Sequence, residues 1–439
     1  MLSSKITSSV CIFRRFHVAV MQRRNLHFFF VAGEPSGDVL GASLIRSLRS
    51  KHPAPLKVTG IGGPNMEREG LVKTADMDQL AVMGFLEVLP HVPRLYSLLR
   101  RTIKCIRESE PDFVVTVDSK GFNFRLIKAL RREPRGSKTK IVHYVAPSMW
   151  AIKGEQREKK MFLSRNLDLL LVLFPFEQQY FSSFLRTVCT GPPVFELAAI
   201  RRRAMQAPVE STSSSLPPSK QQISDPVLLL LPGSRVQEVR QHLPILLEVV
   251  RSMGSKHCLQ FRILTILSMK ELVDNLVESR GLKESIQVIT LLDVEKRIEH
   301  MRGCSAAVAV SGTVTLELAA ADVPSVVIYR SNMFTQFLAK RLAAVEFISL
   351  PNLLLGQRLL PELLFGACNQ DDIEHEACKL LFDKAERKCV LAGYSRVMKI
   401  ACPRTTATCT NEEKFPEEQS PSMIAATAIL QLQNESSTT

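Results

Sequence analysis

D-P-V-L-L-L-L-P-G-S-R-V-Q-E-V-R-Q-H-L, residues 225–243, decides the fold of the second half of the chain. The run Val227 to Leu231 is typical of a strand that is buried on both faces. The turn Pro232-Gly233-Ser234 ends that strand, and apolar residues then recur at helical spacing. A strand, a glycine turn and a helix in this order direct backbone N–H groups and the positive helix end to one point, which suits a phosphate.

Arg235 adds a planar cationic fork that can bind two phosphate oxygens. The alternative to a phosphate site is an ordinary strand-to-helix connection with a surface arginine. The rest of the chain has to decide between the two.

The first half of the chain repeats the pattern. A strand from Leu26 to Ala32 leads into G-E-P-S-G-D and a helix, so Glu34 lies above the end of a buried strand, where open α/β proteins bind ligands. Another strand ends at Asp118, which is well placed to act as a general base. Helix capping is the structural alternative for Asp118 and for Asp38.

Three further places carry candidate site residues. Ser311, Gly312 and Thr313 follow a buried strand and open a helix, which suits a second phosphate contact, and Glu317 one turn later could bind ribose hydroxyls. Asn352 lies in an apolar loop without an obvious structural duty. His143, within a strand, and Trp150, beyond it, are secondary candidates, because a strand histidine is more often a hydrogen-bonded core residue than a base.

The alternation of strands and helices predicts an α/β protein with two Rossmann-like domains that face each other across a cleft, followed by C-terminal helices. The serine- and proline-rich stretch near residue 215 is the predicted linker. The predicted divisions are a transit peptide at 1–27, an acceptor and lipid domain at 28–207, a linker at 208–226, a nucleotide domain at 227–370 and a helical region with a polar tail at 371–439.

The N-terminal segment predicts import into an organelle. Residues 1–30 hold five basic side chains and no acid, which is typical of mitochondrial or plastid transit peptides, and the mitochondrion is the first choice. Setting those five aside lowers the formal charge from +14 to +9. That charge is spread out and not interleaved with stacking aromatics, so nucleic-acid binding is not expected. The ten cysteines form no C-x-x-C pair, and no apolar stretch is long enough to predict a membrane span.

A basic segment at residues 94–107 carries leucines and isoleucines at helical spacing. Such a helix usually faces a core, but it could instead lie on a membrane surface with its basic side chains at anionic headgroups. The apolar segment just before it would then contact acyl chains. Its members are Val82, Met83, Phe85, Leu86, Val88 and Leu89.

Seven collinear segments resemble lipid-A-disaccharide synthases, which are inverting glycosyltransferases of the GT-B type. The segments are A-G-E-P-S-G-D (32–38), G-G-P-N-M (62–66), A-V-M-G-F-L-E-V-L (81–89), H-Y-V-A-P-S-M-W-A (143–151), L-P-G-S-R (231–235), S-G-T-V-T-L-E (311–317) and S-L-P-N-L-L (349–354).

The resemblance implies transfer of 2,3-diacylglucosamine from its UDP-activated form to 2,3-diacylglucosamine 1-phosphate (lipid X), giving the β-1,6-linked disaccharide 1-phosphate and UDP. It implies Asp118 as the base, Arg235 as the cation at the leaving group, and Asn352 and Glu34 as further active-site residues. Gly233, Ser234, Arg235, Ser311, Gly312, Thr313 and Glu317 would bind UDP. It also implies no metal or other cofactor, peripheral membrane association and a homodimer.

Three departures from the family pattern leave alternatives open. The family's D-A-P-D-F-N is Asp118-Ser119-Lys120-Gly121-Phe122-Asn123 here, Ile152-Lys153 replaces its arginine after the tryptophan, and Pro192 replaces a histidine. The alternatives are a UDP-sugar 2-epimerase of the same fold and a catalytically lapsed protein that binds nucleotide or lipid.

Overall fold

A computed structural model describes residues 25–80, 92–132, 138–154, 156–206, 225–291, 293–330, 344–402 and 420–436. The chain divides into two compact units. Unit 1 takes its residues from Met1–Trp150, Gly154–Glu196 and Pro403–Thr439, and unit 2 from Ala151–Lys153 and Leu197–Cys402. The predicted transit peptide up to residue 24, most of the linker and the apolar segment Val82 to Leu89 lie outside the described residues.

Unit 1 contains a seven-stranded sheet in the order β3-β2-β1-β4-β5-β6-β7, and all of its strand pairs are parallel. Its strands are β1 His27–Ala32, β2 Lys57–Gly62, β3 Val72–Asp76, β4 Phe113–Val117, β5 Lys140–Tyr144, β6 Leu169–Val172 and β7 Thr187–Cys189. Its helices are α1 Pro35–Lys51, α2 Pro64–Arg68, α3 Val92–Ser109, α4 Lys120–Leu130, α5 Arg157–Asn166 and α6 Pro175–Phe181.

Unit 2 contains a six-stranded parallel sheet in the order β10-β9-β8-β11-β12-β13. Its strands are β8 Val227–Leu231, β9 Gln260–Thr265, β10 Ile286–Thr290, β11 Ala306–Val310, β12 Ser325–Tyr329 and β13 Glu362–Leu364. Its helices are α7 Ala198–Gln206, α8 Val236–Lys256, α9 Lys270–Ser279, α10 Val294–Arg302, α11 Val314–Ala321, α12 Leu350–Leu355, α13 Gln370–Phe382 and α14 Lys384–Ala401.

Both sheets have the strand order of doubly wound Rossmann folds, which confirms the predicted fold class. The central strands β1, β4, β8 and β11 are buried along their whole length, because helices cover both faces of a parallel sheet. The order reverses between β1 and β4 in unit 1 and between β8 and β11 in unit 2. A ligand binds such a fold outside the carboxyl ends of the strands at that reversal.

The sequence analysis did not predict β3, β7 and β13, and each of them is the last strand at one edge of its sheet. All three are short, with three to five residues, and β3 is mostly exposed. An edge strand needs no continuous apolar run, so the signal that revealed the central strands is absent there.

The predicted helical region 371–439 is divided between the units. Helices α13 and α14 belong to unit 2, whereas the last helix, α15 (Pro421–Ser436), packs against α1 in unit 1. The start of α15 is held by Glu196, whose two carboxylate oxygens accept hydrogen bonds from Ser422 N (2.7 Å) and Ser422 Oγ (2.9 Å). Ser47 Oγ of α1 donates to the same Ser422 hydroxyl at 2.7 Å.

The basic helix α3 turns its apolar stripe to the core of unit 1. Leu98 and Ile106 are buried in a cluster with strand residues, and Leu95, Leu99 and Ile103 pack against that cluster. The arginines at positions 94, 100 and 101 are exposed. Within the described part of the chain, no helix is both long enough and apolar enough to cross a membrane.

Gly60 gives a stability test of this fold. It has φ +139°, and a Cβ placed on it would lie 1.9 Å from the carbonyl oxygen of Phe30 in the neighbouring strand. Gly60→Ala is therefore expected to lower the free energy of unfolding by about 3 kcal/mol or more, measured by denaturant titration. Gly366→Ala is the control, because no atom lies within 4 Å of its added Cβ, and an equal loss in both variants would contradict the prediction.

Candidate active site

Glu34 and Asp118 follow the two strands that flank the reversal in unit 1. Glu34 is the N-cap residue of α1 and the second residue after β1, and Asp118 is the first residue after β4. Because β1 and β4 are hydrogen-bonded neighbours, both carboxylates belong to the same edge of the sheet. The structure places both where the sequence predicted a ligand site.

The backbone at Asp118 is strained. Asp118 and Ser119 both have φ +44°, in the left-handed region, and Val145 at the end of the neighbouring β5 has φ +78°. Each such non-glycine residue costs on the order of 1 kcal/mol or more. Strain of this kind persists where the surrounding structure holds it, and it concentrates at active sites.

Asn123 and Gly33 hold the strained turn. Asn123 is fully buried, and its Nδ2 donates to the carbonyl oxygens of Asp118 (2.8 Å) and Val117 (3.2 Å), while its Oδ1 has no protein partner. A Cβ on Gly33 would lie 2.5 Å from the hydroxyl oxygen of Ser119. The glycine after β1 is therefore required because the turn after β4 lies against it.

Asp38 does not cap its own helix. Its buried carboxylate accepts hydrogen bonds from the backbone N–H groups of Gly63 (2.9 Å), Asn65 (3.0 Å) and Met66 (3.0 Å), and from Asn65 Nδ2 (2.9 Å). It thus caps α2 and ties the G-E-P-S-G-D turn to the G-G-P-N-M turn.

His143 lies in the core. It has no exposed surface, and its Nδ1 is 2.8 Å from Thr116 Oγ1. Burial, with a smaller effect of the Lys120 charge, lowers the pKa of the ring to about 3. A neutral side chain without solvent exposure does not reach a substrate hydroxyl in this conformation, and the geometry favours the core role for this secondary candidate.

Trp150 is anchored beside the same edge of the sheet. Its indole Nε1 donates to Glu177 Oε1 at 3.3 Å, and its ring meets Phe176 edge-on at 4.8 Å. Glu177 Oε2 accepts from the backbone N–H groups of Leu173 and Phe174, both at 3.1 Å. Burial raises the pKa of the Glu177 carboxyl, whereas the hydrogen bonds from Phe174 and Leu173 oppose that shift.

In unit 2, the turn of residues 232–235 follows β8 as predicted. Gly233 has φ +113°, which only glycine adopts without strain. The backbone N–H of Ser234 donates to Glu238 Oε2 at 2.9 Å, and Arg235 Nη1 donates to Glu238 Oε1 at 2.8 Å. A carboxylate of α8 therefore binds two of the groups that the sequence assigned to phosphate.

The Ser311-Gly312-Thr313 turn follows β11, the neighbour of β8, so the two predicted phosphate turns lie at adjacent strand ends. Ser311 Oγ donates to the carbonyl oxygen of Ile348 at 3.0 Å. Gly312 has open space around it, because an added Cβ would meet nothing within 4 Å.

Glu317 is held on α11 by Arg297. The guanidinium binds both carboxylate oxygens, with Nε at 3.0 Å from Oε2 and Nη2 at 2.7 Å from Oε1. A carboxylate accepts about four hydrogen bonds, so a ribose hydroxyl can still donate to Glu317 while Arg297 fixes its orientation.

Asn352 has a structural duty that the sequence analysis did not find. It is fully buried, its Nδ2 donates to Leu360 O (3.0 Å) and Glu362 Oε1 (2.9 Å), and its Oδ1 accepts from the N–H groups of Leu359 (2.9 Å) and Leu360 (2.8 Å). Its amide group is fully bonded. Asn352 can therefore serve the site only by holding the neighbouring backbone in place.

Glu362 connects Asn352 to Ser311. Its carboxylate accepts from the N–H groups of Ile348 and Ser349, both at 2.9 Å, and from Ser349 Oγ at 2.6 Å. Ser311 donates to the carbonyl of the same Ile348. The segment that starts α12 is thus fixed beside the predicted nucleotide turn.

The sequence analysis missed Asn123, Glu238, His242 and Glu362. Only Glu238 carried a sequence signal, since an acidic residue in the first turn of a helix is favoured by the helix dipole. The bonds of the other three are set by turn and loop geometry that a single sequence does not reveal. Among the described residues, no group of three or more His, Cys, Asp or Glu side chains could hold a metal ion.

Comparison with known proteins gives one family. A sequence model described as lipid-A-disaccharide synthetase matches residues 28–402. A lipid-A-disaccharide synthase of Rhodospirillum centenum is 35% identical over 381 residues, which cover 85% of this chain and 89% of that protein. A probable mitochondrial lipid-A-disaccharide synthase of Arabidopsis thaliana is 32% identical over 420 residues, covering 92% and 90%.

Solved structures share the fold at low identity. The calicheamicin glycosyltransferase CalG4 superposes with a TM-score of 0.53 at 14% identity, covering 94% of this chain and 99% of that one. A putative UDP-N-acetylglucosamine 2-epimerase from Listeria monocytogenes gives 0.53 at 13% identity, covering 95% and 98%. The two-sheet α/β fold is therefore that of GT-B glycosyltransferases, and the epimerase is a distant match in fold alone.

The pKa of His143 predicts a pH dependence of stability. The folded state holds the ring neutral, whereas the unfolded chain protonates it below about pH 6.5. The free energy of unfolding should therefore fall as the pH drops from about 6.5 to about 4, with a contribution of up to about 1.4 kcal/mol per pH unit from this group. His143→Phe should show a shallower decline in urea titrations across that range, and an unchanged slope would contradict the assignment.

Proposed function

The chain belongs to the lipid-A-disaccharide synthase family and is a glycosyltransferase, and on that premise we propose the reaction and the residues that perform it. The reaction transfers 2,3-diacylglucosamine from UDP-2,3-diacylglucosamine to the 6-hydroxyl of 2,3-diacylglucosamine 1-phosphate. The products are the β-1,6-linked disaccharide 1-phosphate and UDP. The observation that carries this proposal is the family match over residues 28–402, with the candidate carboxylates and phosphate turns at the two strand reversals.

Asp118 is the proposed general base. It takes the proton of the acceptor hydroxyl as that oxygen forms its bond to C1 of the donor sugar, while the bond from C1 to the diphosphate oxygen breaks. Glu34 follows the neighbouring strand and contributes a second carboxylate at this edge. Asn123 holds the Asp118 carbonyl and so fixes the strained turn that carries the base.

Arg235 is the proposed electrostatic partner of the leaving group. As the diphosphate departs, negative charge grows on its oxygens, and a positioned guanidinium offsets that charge. Gly233, Ser234 and the turn Ser311-Gly312-Thr313 surround the diphosphate in this proposal, and Glu317 accepts from the ribose hydroxyls. Asn352 positions the segment beside Ser311 and does not touch substrate.

The two alternatives have less support. The epimerase similarity is confined to the fold. The experiment below also tests for a protein that binds nucleotide or lipid without catalysing transfer. The reason is that the family's second acid at the Asp118 turn is absent, and Lys120 and Gly121 stand in that turn.

Purified full-length protein should form the disaccharide from the two monosaccharide substrates in the presence of a chelator. Asp118→Asn should lower turnover by about 10³-fold and leave the UDP affinity within about twofold of the wild type, because the base acts on the acceptor. Arg235→Ala should lower turnover and also weaken UDP binding about tenfold. Product is measured by mass spectrometry and UDP binding by calorimetry.

Glu108→Gln and Arg251→Ala are the matched controls, since both side chains are exposed and belong to helices, away from the strand ends that carry the site. UDP binding without disaccharide would favour the lapsed protein. UDP release without any lipid acceptor would favour the epimerase. Wild-type turnover in either site variant would remove that residue from the mechanism.

We further propose a peripheral protein of mitochondrial membranes, with the plastid as second choice, that works as a homodimer. The acid-free N-terminus and the name of the Arabidopsis relative support the location. The exposed arginines of α3 support membrane contact, because they lie just after the apolar segment 82–89. The dimer rests on the family resemblance.

Removing the charges of Arg94, Arg100 and Arg101 by substitution with glutamine should weaken binding to vesicles that contain anionic phospholipid. Each basic residue near such a surface contributes about 1 kcal/mol, so the loss should be tenfold or more in a flotation assay. The control replaces Arg157, Lys159 and Arg165, which are exposed on α5 of the same unit. Equal losses in both variants would indicate nonspecific charge attraction and contradict the α3 surface.

A further inference from the structure

The carboxylate of Glu238 folds back over the turn that precedes its own helix. It accepts the Ser234 N–H with one oxygen and the Arg235 guanidinium with the other. Its side chain is 19% exposed and that of Arg235 is 48% exposed. The arginine proposed to meet the diphosphate is therefore oriented by a less exposed acid one turn into α8.

Gly233 shows how closely Glu238 lies on the turn. A Cβ at position 233 would be 2.5 Å from the Cβ of Glu238 and 2.6 Å from its Oε2. Any side chain at position 233 would displace Glu238, so the glycine is required for this contact as well as for its φ of +113°. The close packing at position 233 and the hydrogen bonds of Ser234 and Arg235 thus involve the same carboxylate.

The backbone of Glu238 is fixed from the other side by His242. His242 is buried, and its Nε2 accepts the N–H of Arg330 at 2.8 Å. The other ring nitrogen, Nδ1, must then carry the hydrogen, and it donates to the Glu238 carbonyl oxygen at 2.7 Å. This chain of bonds ties the first turn of α8 to the residue that follows β12.

We propose that Glu238 is a positioning residue that holds Arg235 for the diphosphate of a nucleoside diphosphate sugar, an inference that rests on the proposed function. A guanidinium has five N–H donors in a rigid plane, so Arg235 can bind Glu238 and phosphate oxygens at the same time. The bond to Glu238 fixes that plane before the ligand arrives. The Ser234 N–H stays with Glu238, and Ser234 offers the ligand its hydroxyl.

The simpler role for Glu238 is capping of α8 alone. Capping stabilises the helix, but it does not make the effect of Glu238 depend on the chemistry of residue 235. If Glu238 positions Arg235, that dependence exists, because loss of the carboxylate weakens UDP binding only when residue 235 is an arginine that can bind two oxygens. The two roles therefore differ in the coupling between the two residues.

A double-mutant cycle measures that coupling. Wild type, Glu238→Gln, Arg235→Lys and the double variant are titrated with UDP by calorimetry, and their transfer rates are measured where transfer occurs. Each single variant should bind UDP about tenfold more weakly, and the double variant should bind no more weakly than the worse single variant. Glu248→Gln, which removes the carboxylate that pairs with Arg251 and Arg280 farther along α8, should bind like the wild type.

UDP binding by Glu238→Gln within twofold of the wild type would overturn the proposal. So would two effects that multiply to about a hundredfold, because capping alone predicts that result. Thermal unfolding of each variant shows whether it folds, and Glu238→Asp replaces Glu238→Gln in the cycle if the latter does not. If the wild type binds UDP but forms no disaccharide, the proposed transfer reaction is wrong. The coupling between Glu238 and Arg235 can still be measured from the UDP affinities. If the wild type does not bind UDP, both proposals fail.

Discussion

Three turns at the carboxyl ends of buried strands, and the segment that starts α12, depend on one interaction, a carboxylate that accepts backbone N–H groups. Asp38 binds the turn after β2, Glu177 the turn after β6, Glu238 the turn after β8 and Glu362 the segment that starts α12. The first turn of a helix has N–H groups without helical partners, and a buried N–H without a partner destabilises the fold. A charged acceptor in such a place contributes about 1.5–3 kcal/mol per hydrogen bond.

These carboxylates explain why the turns can carry chemistry. Fixed turns keep their shape without help from a ligand, so a binding group attached to them is already in position. The turn after β4 is fixed in another way: the Asn123 amide donates to the Asp118 carbonyl and holds the left-handed residues Asp118 and Ser119. The glycines of the turns follow from the same packing, since added side chains at Gly33, Gly63 and Gly233 would lie within 2.6 Å of a neighbouring side-chain oxygen or carbon.

The sequence predicted the strands that carry the candidate site residues within a few residues, because central strands of parallel sheets need continuous apolar runs. It also placed Glu34, Asp118, Arg235 and Ser311 at strand ends, since a polar residue after such a run has no other position available. It failed where the partners of a side chain are set by the folded shape of a turn or loop. Asp38 was taken as a possible cap of α1 and caps α2 instead, and Asn352 was thought to lack the structural duty that it has.

The sequence by itself determined the α/β class, the family and the positions of the candidate residues along the chain, because hydrophobic period, turn chemistry and collinear motifs are local properties. The tertiary structure alone decided which groups bind one another. It showed that Glu238 holds Arg235, that Asn123 fixes the turn of Asp118, and that His143 is buried beyond reach of solvent. The short spacing of Arg235 and Glu238 is visible in the sequence, but their bond, like the burial of His143, is set by how the turn and its neighbours pack.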